Sequence, residues 1–333
     1  MGIRSISSKS IKNPGSDLAA RFFPLRLFFS RFFKDRLTVS NRKKIVKAVI
    51  PAAGFGTRML PATKAVPKEM LPVAGKPLIQ YAVEEAVASG IETVIVVTRD
   101  DRSLIPAHFA RDRELESFLD QRRLDTSTDL LRPLPELVNL QYVHQRNPLG
   151  LAHAVSCARP LVGDEPFVVL LPDVIMMNGE PVTSQVIRAH EEMGGSVVTV
   201  REVEPSDVVR FGIVRIDRSA VRPSSRSVRI TGLVEKPSAD HAPSRLGVFG
   251  RYLLEPSIWK AIAQTPPDSR GEIQLTDALN LLCQKESLFG LCFEGQHYDA
   301  GDPMGYLKAN IELSLRDPRL GPPFLEYLSS LPL

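Results

Sequence analysis

Cysteine is scarce: the 333-residue chain has three, at 157, 283 and 292, an odd number without metal-ligand spacing. That pattern excludes a disulfide framework and a zinc cluster, and suits a reducing, cytosolic setting. The six histidines are equally scattered. His153, inside LGLAHAVSCA, reads as a helix residue rather than a ligand. The Phe-rich stretch RFFPLRLFFSRFFKDR is interrupted by Arg26, so it is neither a secretory signal nor a transmembrane span. Internal repeats and low-complexity segments are missing too.

Net positive charge is confined to one segment. Residues 1–44 hold eleven Lys and Arg against Asp17 and Asp35, a local +9 that leaves −5 for the rest of a chain whose total is +4. A mildly acidic body argues against a nucleic-acid partner, which needs a basic face on the folded domain. The basic tail admits three readings: an extension without a specific role, an Arg/Phe membrane-surface segment, or an organelle transit peptide. Pro24 and irregular apolar spacing weaken an amphipathic helix there and argue against membrane contact. Residues 1–43 are therefore taken as a basic N-terminal extension expected to be poorly ordered, 44–320 as the folded domain, and 321–333 as a C-terminal tail.

With 43% hydrophobic and 24% charged residues, the body is an ordinary globular composition. IVKAVI reads as a buried strand, and AAGFGTRMLPATKAVPKEMLP follows it directly. Gly54 and Gly56 permit a tight turn that brings main-chain N–H groups against an anion, while Thr57, Arg58, Lys64 and Lys68 add a hydroxyl and three positive charges. The loop is neither a dinucleotide fingerprint, which needs a small residue where Met59 stands, nor a Walker loop, which needs Gly-Lys-Ser/Thr.

Beyond it, Pro77 opens a helix with apolar positions 78, 79, 82, 83, 86 and 87, Gly90 closes it, and ETVIVVT is a β-branched strand. This predicts a parallel βαβ unit. Residues 101–138 interrupt the rhythm as a charged insertion with two helical stretches, and their role is not readable. Strand VNLQYVHQ, loop RNPLG, helix LAHAVSCA and strand PFVVLLPD resume it. From about residue 195 the segments SVVTVREV, FGIVRI, VRITGLVEKP and LGVFGRYLL predict a β-rich second lobe beside the first sheet. SIWKAIA, EIQLTDALNLLCQK and PMGYLKANIELSLR are predicted helices.

In open α/β sheets ligands gather at the carboxyl ends of strands, which brings Gln145 and Asp173 toward the glycine loop. Asp173 in LLPDV, and Asp299 in YDAGDP beside Gly301, are candidate ligands of Mg²⁺, which takes few carboxylates and completes its shell with water and phosphate. Glu235-Lys236-Pro237 pairs a carboxylate for sugar hydroxyls with a lysine for phosphate; on its own it equally describes a solvated turn.

The run Gly-x-Gly-Thr-Arg, then Leu60-Pro61-Ala62-Thr63-Lys64 and Pro67-Lys68-Glu69-Met70-Leu71-Pro72, resembles the opening signature of bacterial-type UTP-glucose-1-phosphate uridylyltransferases, a branch of the sugar-phosphate nucleotidyltransferases. The resemblance extends over about 44–315. It implies a Rossmann-like α/β fold with a mixed, largely parallel sheet and a β-rich sugar-binding extension. It implies nucleotide binding by Ala53, Gly54, Gly56, Thr57 and Arg58, base recognition by Gln145 and Gly150, and metal binding by Asp173 and Asp299. It also implies sugar-phosphate contacts at Gly212, Glu235 and Lys236, with Arg58, Lys68 and Lys236 catalytic. Gly-Arg-Tyr at 250–252 and Glu-Ile-Gln-Leu-Thr-Asp at 272–277 match the family as lining and support.

The reaction so implied joins UTP and glucose 1-phosphate into UDP-glucose and pyrophosphate, in a cytoplasmic homo-oligomer. Two departures bear on the choice of base and sugar: Leu149 and Ala152 stand where a lysine and a glycine are expected, and YDAG replaces His-Asp-Cys-Gly. A sister enzyme using dTTP or another sugar 1-phosphate stays open, as does a non-catalytic regulatory homologue. A Rossmann dehydrogenase is disfavoured, since the second strand ends in Thr98 and Arg99 without an acidic residue.

Overall fold

The computed structural model describes residues 43–99, 104–177, 179–217 and 226–332. The readings of the basic tail therefore lie, apart from Lys43 and Lys44, outside the described residues.

The chain opens with β1 (Lys47–Pro51), the glycine loop, and a short ribbon of β2 (Pro72–Val73) and β3 (Lys76–Pro77). Helix α1 (Leu78–Ala88) buries Leu78, Ile79, Ala82, Val83 and Ala86, the face its periodicity predicts, and ends where Gly90 takes φ 82°. Strand β4 (Thr93–Thr98) follows. The charged insertion forms α2 (Leu104–Phe109), α3 (Arg113–Gln121) and a helix not predicted, α4 (Asp125–Leu131). Next come β5 (Asn139–His144), α5 (Leu151–Cys157), α6 (Arg159–Val162), β6 (Phe167–Leu170), β7 (Val174–Met177) and α7 (Val182–Met193). The second half contributes β8 (Ser196–Glu202), β9 (Gly212–Ile216), β10 (Ser227–Glu235), β11 (Leu246–Leu254), α8 (Ile258–Gln264), α9 (Leu275–Cys283), β12 (Leu288–Cys292), β13 (Gln296–Asp299) and α10 (Pro303–Arg316). The last helix, α11 (Gly321–Ser330), lies in the segment set apart as a C-terminal tail.

Nine strands form one sheet in the order β5-β4-β1-β6-β11-β8-β12-β10-β9. The first four are parallel, as predicted, and β11 enters antiparallel to β6. The later strands are thus not a lobe beside the first sheet but its continuation. The reason is β11, nine residues long, whose C-terminal half pairs with β6 while its whole length runs along β8. At the far end β9 turns back to meet β11 through Gly247↔Ile213.

The sheet separates two cores by the alternation of its strands. Val49, Ile95, Val97, Phe167 and Val169 face α5, α8 and α9, while Ala48, Ile50, Val94, Val96 and Val168 face α1 and α7. Strands buried on both faces need the continuous apolar runs seen in β1, β4 and β6. A smaller core of Val73, Leu78, Ile175, Tyr298 and Leu313 sits between the β7–β13 ribbon and α10.

Phe167 is fully buried and stacked on Trp259, ring centroids 4.8 Å apart. Phe167→Ala is expected to cost about 3–5 kcal/mol of folding stability, read from urea unfolding followed by circular dichroism. A loss under about 1 kcal/mol is what a peripheral contact would give.

Candidate active site

The carboxyl ends of β1, β5 and β6 open on one cleft of about 460 Å³, lined among others by Ala53, Gly54, Gly56, Thr57, Lys68, Gln145, Gly150 and Asp173. The glycine loop is anchored at its start by Ala52 N–H donating to Val97 O at 2.7 Å. Its far end is held by Thr63, whose Oγ1 donates to Gly56 O at 2.7 Å. Gly56 has φ 63°, and a Cβ there would lie 3.0 Å from the Thr63 methyl, so the turn requires glycine. At Gly54 a Cβ would meet nothing within 4 Å; the space it leaves belongs to the cleft.

Lys68 Nζ lies 2.6 Å from Asp173 Oδ2. Burial opposes the charge on Lys68, but the Asp173 and Glu69 carboxylates outweigh it and raise the pKa, so the ammonium persists. Burial likewise pushes Asp173 up, and Lys68, helped least by the charge of Arg58, more than reverses this and holds it ionised. Arg58 itself is exposed on the glycine loop and is not among the residues lining the cleft.

Asp299, distant in sequence, reaches the same point because β13 pairs antiparallel with β7 in the register Asp299↔Val174. Ala300 N–H then donates to Asp173 O at 2.8 Å. The Ala300 side chain is buried in the small core with Val73, Leu78, Ile175 and Tyr298. A Cβ on Gly301 would lie 3.0 Å from Asp299 Oδ1 and 3.1 Å from Asp173 Oδ2, so both carboxylates converge on this glycine. Burial, then the Asp173 charge, raises the Asp299 carboxyl, with the Gly301 N–H and Arg210 pulling the other way. Two converging carboxylates, one incompletely neutralised, form an all-oxygen donor set that fits a hard divalent cation completing its shell with water and phosphate. Among the described residues no group of three or more His, Cys, Asp and Glu is placed to hold a metal by itself.

On the opposite wall Gln145 is 5% exposed. Its Nε2 faces Gly150 O at 3.1 Å and His153 Nδ1 at 2.9 Å. Both contacts take the amide's donor side, which leaves Oε1 for a ligand N–H. His153 is thus a helix residue, as predicted, and also the buttress of Gln145, a role sequence reasoning missed. Gly150 has φ 94°, and a Cβ there would lie 2.7 Å from Ile273 O. The same segment is strapped across by Ile273 N–H to Leu149 O at 2.7 Å and Ala152 N–H to Ile273 O at 3.0 Å.

Gly212, Glu235 and Lys236 form a second group, brought together by the β9–β10 register Gly212↔Glu235. Lys236 Nζ lies 3.0 Å from Glu235 Oε1. Lys236 adopts φ 45° with its N–H donating to Phe211 O at 3.1 Å, a strained backbone for a non-glycine residue. Thr276 Oγ1 donates to Glu235 Oε2 at 2.6 Å and would sit 2.9 Å from a Cβ on Gly212. Thr276 is a second missed residue, although its motif had been placed as support. The two groups flank Tyr252, whose buried phenol is pushed up by desolvation and then by both Glu235 and Asp173. A third omission is Arg210, whose Nη2 lies 2.7 Å from Asp302 Oδ2 and 3.3 Å from Asp299 Oδ2. No motif marks it in the sequence.

A glycine-loop cleft at the carboxyl ends of parallel strands, lined by Asp173 and a half-buried lysine with Asp299 close by, defines a phosphate-handling transferase. The chain belongs to the nucleotidyl transferase family, whose model matches residues 47–315. It is 44% identical over 290 residues to the UTP–glucose-1-phosphate uridylyltransferase YngB of Bacillus subtilis, covering 87% of this chain and 96% of that one. It is also 44% identical over 291 residues to the UTP–glucose-1-phosphate uridylyltransferase of Escherichia coli K12, covering 86% and 95%. Among solved structures it is similar to a UTP-bound UGPase from Acinetobacter baumannii, with TM-score 0.78, 39% identity and coverage of 86% and 100%. A UDP-glucose pyrophosphorylase complexed with UDP-glucose matches with TM-score 0.74 and 35% identity, covering 82% and 100%.

Gly150→Ala must relieve both its positive φ and the contact with Ile273. It is expected to weaken nucleotide binding at least tenfold, about 1.4 kcal/mol, in calorimetric titration with UTP, because Gln145 leans on the Gly150 carbonyl. Unchanged affinity would detach Gln145 from ligand binding.

Proposed function

We propose that this protein transfers the uridylyl group of UTP to glucose 1-phosphate, releasing UDP-glucose and pyrophosphate. The convergence of Asp173, Asp299 and Lys68 below the glycine loop is the observation that carries the reading. The match to uridylyltransferases over nearly all of both chains supports the choice of nucleotide and sugar.

A sugar-phosphate oxygen attacks the α-phosphorus of UTP, the new P–O bond forms as the bond to the bridging β-phosphate oxygen breaks, and pyrophosphate leaves opposite. The nucleophile is already anionic, so no general base is required. The problem to solve is repulsion between two polyanions, and its remedy is positioning with charge neutralisation. The glycine-loop N–H groups and Thr57 cradle the triphosphate. Arg58 and Lys68 take the charge that builds on the departing pyrophosphate, and Lys68 is kept cationic for this by its acidic neighbours. Gln145 Oε1 accepts from a base N–H, and Glu235 receives sugar hydroxyls while Lys236 receives the sugar phosphate. Asp173 and Asp299 would hold Mg²⁺, which would supply charge neutralisation for the phosphates.

A cytosolic setting accompanies this reading. The three cysteines are free and their thiols are raised by burial. Among the described residues no helix is long and apolar enough to cross a membrane. A homo-oligomer is part of the proposal as well: α10 exposes Met304, Leu307 and Ile311, spaced along one side. Light scattering of the purified chain reads this directly, and a monomer at micromolar concentration would remove it.

Pyrophosphate release with Mg²⁺, across UTP, dTTP, CTP, ATP and GTP against the 1-phosphates of glucose, galactose and N-acetylglucosamine, is expected to peak at UTP with glucose 1-phosphate. A different peak would keep the chemistry and change the substrate. Silence everywhere with UTP still bound would mark a regulatory homologue. Asp173→Asn and Lys236→Ala are each expected to lower kcat by at least about a hundredfold with unchanged circular dichroism; wild-type turnover would remove that residue from the mechanism.

A further inference from the structure

Among the described residues the largest fully buried side chain is a charged one, Arg251. It projects from β11 at an irregularity where residues 249–251 stand opposite Thr199 alone, between the pairs Val248↔Val200 and Tyr252↔Val198. Thr199 Oγ1 fills the gap, accepting from Arg251 N–H at 3.2 Å and donating to Phe249 O at 2.5 Å. Bulges of this kind re-aim side chains beside active sites. Here the effect is to press Gly250, at φ 55°, against Leu171 and Val174, where a Cβ would come within 3.2 Å of each.

All five guanidinium N–H groups of Arg251 are used. Nη1 donates to Leu171 O and Gly250 O, both at 3.1 Å. Nη2 donates to Val174 O at 2.9 Å and to Glu85 Oε2 at 2.6 Å, and Nε donates to Glu85 Oε1 at 3.0 Å. Leu171 and Val174 are the two ends of the turn Leu171-Pro172-Asp173-Val174. Its main-chain closure is Val174 N–H to Leu171 O at a long 3.3 Å. Pro172 offers no N–H for another. The clamp from Arg251 is therefore shorter and doubled where the turn's own main-chain closure is long. Glu85, on α1, supplies the counter-charge and also accepts from Thr183 N–H at 3.0 Å and Thr183 Oγ1 at 2.7 Å, at the start of α7.

A buried ion pair is a weak device for stability, since apolar residues of similar volume serve as well. A rigid fork that grips both ends of one turn is a device for geometry, and a lysine, with one flexible ammonium, lacks it. We propose that Arg251, held by Glu85, is the positioning residue that fixes the Asp173 turn so that the Asp173 carboxylate converges with Asp299 on a divalent cation. This rests on the reading of Asp173 as a cation ligand.

The experiment compares Arg251→Lys, the neutral pair Arg251→Met with Glu85→Gln, and Asp173→Asn against the wild type. Mn²⁺ binding to the nucleotide-free protein is followed by electron paramagnetic resonance, beside kcat, the KM for UTP and the thermal midpoint. Partners of ligand residues typically change metal affinity or activity on the order of 10–100-fold. Arg251→Lys is expected to weaken Mn²⁺ at least tenfold and lower kcat comparably while the KM for UTP stays within about twofold, fold-changes of the size outer-sphere partners produce. A lowered thermal midpoint with wild-type Mn²⁺ affinity and kcat would overturn the proposal and leave Arg251 a purely structural residue. Should Arg251→Lys fail to fold, the neutral pair is read by the same criteria. Asp173→Asn separates the two levels: if it binds Mn²⁺ as the wild type does, the ligand reading itself fails, and the proposal with it.

Discussion

Two carboxylates from distant parts of the chain are held against one glycine in a desolvated corner, and most of the neighbouring structure offsets that repulsion. At an effective dielectric near 20, two unit charges 4 Å apart interact by about 4 kcal/mol, comparable to the whole stability of many domains. Lys68 neutralises Asp173 at 2.6 Å, and Arg210 with the Gly301 N–H stands against Asp299. The compensation is unequal, since Asp173 is pulled down and Asp299 remains raised. An incompletely neutralised acid pair beside the glycine-loop cleft is the donor set that the proposed reaction requires.

The geometry of that corner is delivered by the sheet rather than by the loops. Because β11 runs antiparallel between β6 and β8, its bulge faces the carboxyl end of β6, where the Asp173 turn begins. Arg251 converts this proximity into contact and ties α1 and α7 to the same point through Glu85 and Thr183. Meanwhile the β7–β13 ribbon brings Asp299 in from the other side. The small core beneath the ribbon, with Ile175, Tyr298 and Leu313, gives it something rigid to rest on.

Legibility in the sequence varied with the range of the interaction involved. Helix α1, strands β1 and β4 and helix α5 were readable because period and capping are local properties. The glycine loop was readable because positive φ and close approach restrict the residue type at single positions, as at Gly56. Strand β7 and its partner β13 were missed: four residues each, their status as strands comes from pairing across more than a hundred residues, which leaves no period to detect. The supposed second lobe was misplaced for a related reason. Alternation marks a strand but does not say which strand lies beside it, and β11 happened to pair with both halves.

The sequence by itself determined the chemistry on offer: a glycine loop with its hydroxyl and positive charges, the acids in LLPD and YDAG, the Glu-Lys-Pro corner, and a family resemblance that matches over most of the chain bear out. These are statements about residue types at short spacing, where backbone restriction and charge act directly. Tertiary structure alone decided which of those groups meet. Asp173 faces Lys68 and Asp299, Glu235 leans on Thr276, and Gln145 leans on His153. Arg251, one charged residue in a run of nine strand residues, proved to clamp the Asp173 turn. Such pairings depend on register, crossover and bulge, which are set by the packing of the entire sheet and are written in no local stretch of the chain.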